Sequence, residues 1–149
     1  MRSNRRLLVL TLLAMTLAGR AAVRLPALFA DGMVLQQQTS CRMWGTATAG
    51  RLVKVTTSWN GKTTDTRADR EGRWQLRVAT PGAGGPYTIT LDDGEKTRLR
   101  DVLVGEVWIC SGQSNMEMPM KGFKGQPVEG ATEELMLGGD AQLRLFTVK

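Results

Sequence analysis

Ser114 lies in the run Ser111-Gly112-Gln113-Ser114-Asn115, five small or polar residues that come after an almost continuous apolar stretch at 102–104 and 107–110. A short, β-branched apolar run ended by turn residues reads as a strand buried on both faces, as in a mostly parallel sheet. Open α/β sheets bind ligands at the carboxyl ends of their strands, and a serine raised there can act as a nucleophile. The same residues have a plainer use. Ser114-Asn115-Met116-Glu117 fits the S-x-x-E capping box, with Ser114 as N-cap and Glu117 reaching back. The two roles are compatible. Gln113 and Asn115 either hydrogen-bond a substrate or hold the turn.

Acyl transfer by serine needs a base for the hydroxyl proton and donors for the oxyanion. The usual base is histidine, and the 149 residues contain none. Asp101, Glu106 and Glu117 are the nearest acids. Carboxylates are weak bases for a serine unless their pKa is raised. Glu106 reads better as a strand-edge residue and Glu117 as part of a cap. Two cysteines without histidine make a poor zinc site, so no metal is expected.

The segment GEVWICSGQSNMEMPM, residues 105–120, resembles the serine block of the sialate O-acetylesterase family, carbohydrate esterases with an SGNH-type hydrolase domain. LFADGMVLQ at 28–36 is similar to that family's opening, and MKGFKGQPVEG at 120–130 to the stretch after its serine. The resemblance covers 25–149. It implies that Ser114 is the nucleophile and its backbone N–H one oxyanion donor, with Gln113 and Asn115 as candidate substrate-binding residues. It also implies a histidine, an acid and further oxyanion donors in later blocks, none of which lies within 1–149. The chain is therefore expected to be the front part of an esterase, inactive alone. The complete enzyme would remove acetyl groups from sugar hydroxyls, such as O-acetylated sialic acid or acetylated plant polysaccharide, through an acetyl-enzyme cleared by water. No metal or organic cofactor is implied. The rival reading is a non-catalytic carbohydrate-binding or structural β-sandwich, with Ser114 as a cap.

The elements that would position this serine divide at residue 102. From 25 to 101 every signal is β. Val53, Val55, Thr57 and Trp59 alternate, Asn60-Gly61 comes next, and 62–67 extends again, a strong hairpin pattern. A turn at 69–72 precedes the alternating Trp74, Leu76 and Val78. The loop 80–86 is rich in Gly and Pro. Tyr87, Ile89 and Leu91 then alternate, and Asp93-Gly94 marks another turn before 95–100. Such spacing predicts an all-β sandwich, jelly-roll-like, with Trp44, Trp59 and Trp74 as the largest core pieces. A tryptophan platform for sugars is the alternative use of those rings.

From 102 the pattern predicts the start of an α/β hydrolase domain at 102–149: buried strand, serine turn, a loop at 121–130, a short helix capped by Thr132 and ended by Gly138-Gly139, and a second strand at 143–148. The loop either shapes a substrate pocket or merely connects.

Charge adds little. The net +6 owes four arginines to the first 21 residues, which carry no acid, leaving 16 basic against 14 acidic side chains. That is no clustered basic footprint, so no nucleic acid is expected. Arg2, Arg5 and Arg6 before an apolar run at 7–18 read as a signal peptide, 1–21, with cleavage after Ala18 or Ala21. Twelve apolar residues are too few to span a bilayer. The expectation is a periplasmic or secreted protein with an O-acetylated sugar substrate and no stable membrane insertion after signal removal. Cys41 and Cys110 are either free buried thiols or a disulfide.

Overall fold

Side chains alternate across a strand, and that alternation builds the core. The computed structural model describes residues 22–148; the expected signal peptide lies outside them. The strands are β1 (Val34–Gln36), β2 (Ser40–Thr46), β3 (Leu52–Thr57), β4 (Thr63–Arg67), β5 (Arg73–Ala79), β6 (Gly84–Asp92) and β7 (Lys96–Gly105). Five form one sheet in the order β1-β7-β6-β3-β4, and β2 pairs with β5 in a second. Among the described strand pairs, β1 with β7 is parallel and the others are antiparallel. Val53, Val55, Ile89, Leu91, Leu99 and Val102 from the large sheet meet Met43, Trp74, Leu76 and Val78 from the small one in a single apolar cluster. The protein is thus β-rich, as the sequence predicts. Seven strands split five and two among the described residues depart from the eight of a jelly roll.

The turns form as their residues demand. Val53 faces Thr66 and Val55 faces Thr64 across the β3–β4 hairpin. Its loop is held by Asn60 Oδ1, which accepts from the Lys62 N–H and the Thr57 hydroxyl, both at 2.9 Å. Gly61 takes φ +66°, open to glycine at no steric cost. Between β4 and β5, Asp69 Oδ1 accepts from the N–H groups of Glu71 and Arg73.

Several expectations are corrected. β6 starts at Gly84, inside the predicted loop; Gly84 pairs with Val104, and a register irregularity absorbs the Gly-Pro step before Tyr87. Trp44 is 40% exposed and is not core. Its neighbour Met43 holds the inward position, and Trp44 instead lies edge-on to Phe29, ring centroids 4.7 Å apart. Trp74 is buried as expected. Trp59 is half-buried, edge-on to Tyr87, with its indole N–H on the Ala79 carbonyl.

The larger corrections begin at 102. Residue 102 falls inside β7, which continues the β-sheet to Gly105. Asp101 adopts φ +54°, which shifts the alternation by one, so Leu99 and Val102 both face the core although three residues apart. Residues 106–110 then have no strand partner among the described residues and are exposed: Trp108 is 83% and Ile109 92% accessible. Residues 143–148 form no strand. A parallel pair needs mutual hydrogen bonds, and neither segment has a sheet partner among the described residues, so the predicted strand–helix–strand unit is not formed there. The helix α1 spans Ala131–Met136 with Glu133 and Glu134 in its first turn. Its N-cap is Gly130 in the left-handed region, earlier in the chain than the Thr132 cap expected. Gly138 at φ +83° lies just past its end, as predicted.

Candidate functional site

β1 and β7 deliver the serine-bearing segment. Val34, Leu35 and Gln36 lie beside Leu103, Val104 and Gly105, and the Gln37 N–H bonds the Gly105 carbonyl at 2.8 Å. Two glutamines then grip the chain as it leaves the sheet. Gln36 Nε2 donates to Glu106 Oε2 at 3.0 Å and Gln37 Nε2 to Glu106 Oε1 at 2.6 Å. Gln36 Oε1 accepts from the Val107 N–H at 2.9 Å, and Gln37 Oε1 from the Ala83 N–H at 2.9 Å. Neither glutamine stands out as a candidate in the sequence. Their signal is modest: polar amides directly after a short apolar strand.

The serine lies further along, in a four-residue 3-10 turn, Ser114–Glu117. Ser114 is its first residue rather than the residue before it, and no α-helix succeeds it, so the predicted capping box is not realised as drawn. The Met116 N–H bonds the Gln113 carbonyl at 3.0 Å. A Cβ on Gly112 would crowd the Met116 side chain, so glycine there lets that side chain fold back over the turn. Gln113 and Ser114 are exposed, and Asn115 occupies the turn's second position. Chain adjacency alone brings these three candidates together. A polar cleft of about 420 Å³ lies instead on the β-domain, lined by Thr57, Asn60, Lys62, Asp65 and Arg77 among others, and residues 105–120 contribute nothing to it.

Asp101 and Glu106 are unsuited to act as base. The amides of Gln37 and then Gln36 hold the Glu106 carboxyl below the usual carboxylate range. The Arg144 guanidinium does the same to Asp101 through a hydrogen bond. A base for serine needs the opposite shift. Both cysteines are free thiols. Cys41 is half-buried, its pKa raised by burial, and Cys110 is exposed outside any strand.

No family model matches the chain. Sialate O-acetylesterases do. The rat protein is 38% identical over 58% of this chain and 18% of its own length, and the human one 36% identical over 59% and 19%. Among solved structures, a carbohydrate acetylesterase from Xanthomonas citri superposes with a TM-score of 0.71 at 35% identity, over 81% of this chain and 26% of its own. These residues thus resemble part of the sialate O-acetylesterases and part of a carbohydrate acetylesterase. The chain spans about a fifth of the length of the curated sialate O-acetylesterases it matches. Two of the three sequence segments that resemble sialate O-acetylesterases, 28–36 and 105–120, meet where Gln36 pairs with Gly105 at the end of β7.

A second tie joins Arg144 to the β-domain. Arg144 Nη1 donates to Asp101 Oδ2 at 2.8 Å and to the Gly32 carbonyl at 3.4 Å. Because the aspartate pKa is depressed, the tie is complete above the ordinary value of 3.8 and is lost as pH falls through the lower, folded-state value. The guanidinium resonances of Arg144 should therefore hold steady from pH 7 to about pH 5 and move only in stronger acid. Asp101→Asn should abolish that movement. An inflection at or above 3.8 would contradict the assignment. No helix among the described residues is long and apolar enough to cross a membrane.

Proposed function

We propose that these residues form the nucleophile-bearing portion of an exported carbohydrate O-acetylesterase, with Ser114 as nucleophile. The observation that supports this best is the intact serine block, 105–120, in a chain related to sialate O-acetylesterases and to a carbohydrate acetylesterase. Ser114 Oγ attacks the acetyl carbonyl while a histidine from outside these 149 residues takes its proton. The Ser114 N–H donates to the developing oxyanion. The sugar hydroxyl leaves with a proton, and water clears the acetyl-enzyme. Gln113 and Asn115, the chain neighbours of Ser114, bond the sugar. The basic and apolar stretches at 2–6 and 7–18 support export to the periplasm or beyond.

The 149 residues by themselves should not hydrolyse esters, because Ser114 has no histidine and both Asp101 and Glu106 have lowered pKa values. Purified chain and its Ser114→Ala variant should release p-nitrophenol from p-nitrophenyl acetate at the same background rate. A full-length esterase of this family carrying these residues should release acetate from O-acetylated sugars. Hydrolysis by the 149 residues well above the variant would overturn the need for an external base. Lack of deacetylation by the full-length protein would overturn the function.

A further inference from the structure

We propose that Gln36, Gln37 and Glu106 are positioning residues that aim the serine turn, by fixing the direction in which the chain leaves β7. The inference rests on the reading of Ser114 as nucleophile but is tested without turnover.

The three side chains form a closed set of hydrogen bonds. Glu106 presents two carboxylate oxygens, and each receives one amide N–H: Gln36 on Oε2 and Gln37 on Oε1. Each glutamine is itself fixed through its carbonyl oxygen, Gln36 by the Val107 N–H and Gln37 by the Ala83 N–H. The backbone beneath is equally well held. The Gln36 carbonyl accepts from the Thr80 hydroxyl at 2.7 Å and from the Cys41 thiol at 3.5 Å. The Gln37 N–H holds the Gly105 carbonyl. The base of the grip is thus built from β1 and the residue after it, tied to Cys41 on β2 and to Thr80 just after β5.

Without the grip, residues 106–110 have no sheet partner to fix their course. Past Gly105 the chain would pivot freely, and Ser114, eight residues beyond Glu106, would sweep a wide arc. A nucleophile must be held in near-attack geometry for its proximity to count. A charge-assisted pair of amide–carboxylate bonds is a strong way to hold it. Loss of these exposed bonds should leave the β-core intact.

The donor–acceptor pattern supplies its own test. In Glu106→Gln an amide N–H₂ faces a glutamine N–H₂, and one bond is lost. In Gln37→Glu two carboxylates oppose each other. Combining Gln37→Glu with Glu106→Gln restores every donor and acceptor, since a glutamate at 37 still accepts from Ala83. Hydrogen exchange of the Val107 N–H should speed up roughly tenfold in each single variant and return to within about twofold of the parent in the double. The backbone amide shifts of Ser114 and Met116 should move in the single variants and return in the double. The melting temperature should stay within about two degrees throughout. Unchanged exchange in the single variants, or no rescue in the double, would overturn the grip. Restored Val107 protection with the Ser114 and Met116 signals indifferent to every variant would overturn its role in aiming the serine.

Discussion

In a full-length esterase that carries these residues, replacing Ser114 by Ala should cut turnover by several powers of ten, on the order of 10⁴ or more. The melting temperature should barely change. Ser114 is exposed at the start of a short 3-10 turn, and its side chain packs into no core. As a cap alone, its loss would cost about 1 kcal/mol of stability and little activity. As a nucleophile, its loss removes the covalent step altogether and leaves only what binding and oxyanion donors achieve. Deacetylation rates and thermal melts of one variant separate the two. Near-normal turnover in a slightly less stable protein would mean that the serine only shapes the turn.

Leu91→Ala should destabilise the β-domain by about 2–5 kcal/mol, a large share of the roughly 5–15 kcal/mol typical of a folded domain. Leu91 is fully buried on β6, the middle strand of the five-stranded sheet, opposite Val55 on one side and Thr97 on the other. Its removal leaves a hole lined from both sheets, which cannot collapse without shifting strands. Trp108→Ala is the control: a larger side chain, but one that is 83% exposed, so its loss should change the urea midpoint little. A drop of less than about 1 kcal/mol for Leu91→Ala would contradict a single core shared by the two sheets.

The β-domain is legible in the sequence because its strands alternate cleanly and its turns carry residues with few other uses. Trp74, Leu76 and Val78 alternate with Arg73, Gln75 and Arg77, and the observed burial matches residue for residue. Asn60-Gly61 fixes both the hairpin and its register. Trp44 is misplaced by the pattern because period-two reasoning cannot choose the phase when both neighbours, Met43 and Gly45, are also apolar. The end of β7 misleads for a related reason. Asp101 shifts the phase through a left-handed residue, which no pattern of apolar side chains records. Residues 107–110 and 143–148 have strand-like composition, yet composition does not supply the hydrogen-bonding neighbour that makes a strand. At the site, Gln113, Ser114 and Asn115 can be found because they are consecutive. Gln36 and Gln37 cannot, because their relation to Glu106 spans about 70 residues and depends on the parallel pairing of β1 with β7.

That parallel pairing also sets the order in which the domain can be finished. β1 is made early, but its partner residues, Leu103, Val104 and Gly105, are the last of the sheet to be synthesised. Closing so long an intervening segment is entropically costly, and contacts distant in sequence slow folding. During synthesis the nascent chain must therefore hold β1 unpaired until Gly105 has emerged. A chain cut at Asp101 would leave β1 without its partner and the core without Val102 and Val104. The sheet is thus completed only where the serine segment begins, so Glu106 can be gripped as soon as the sheet closes.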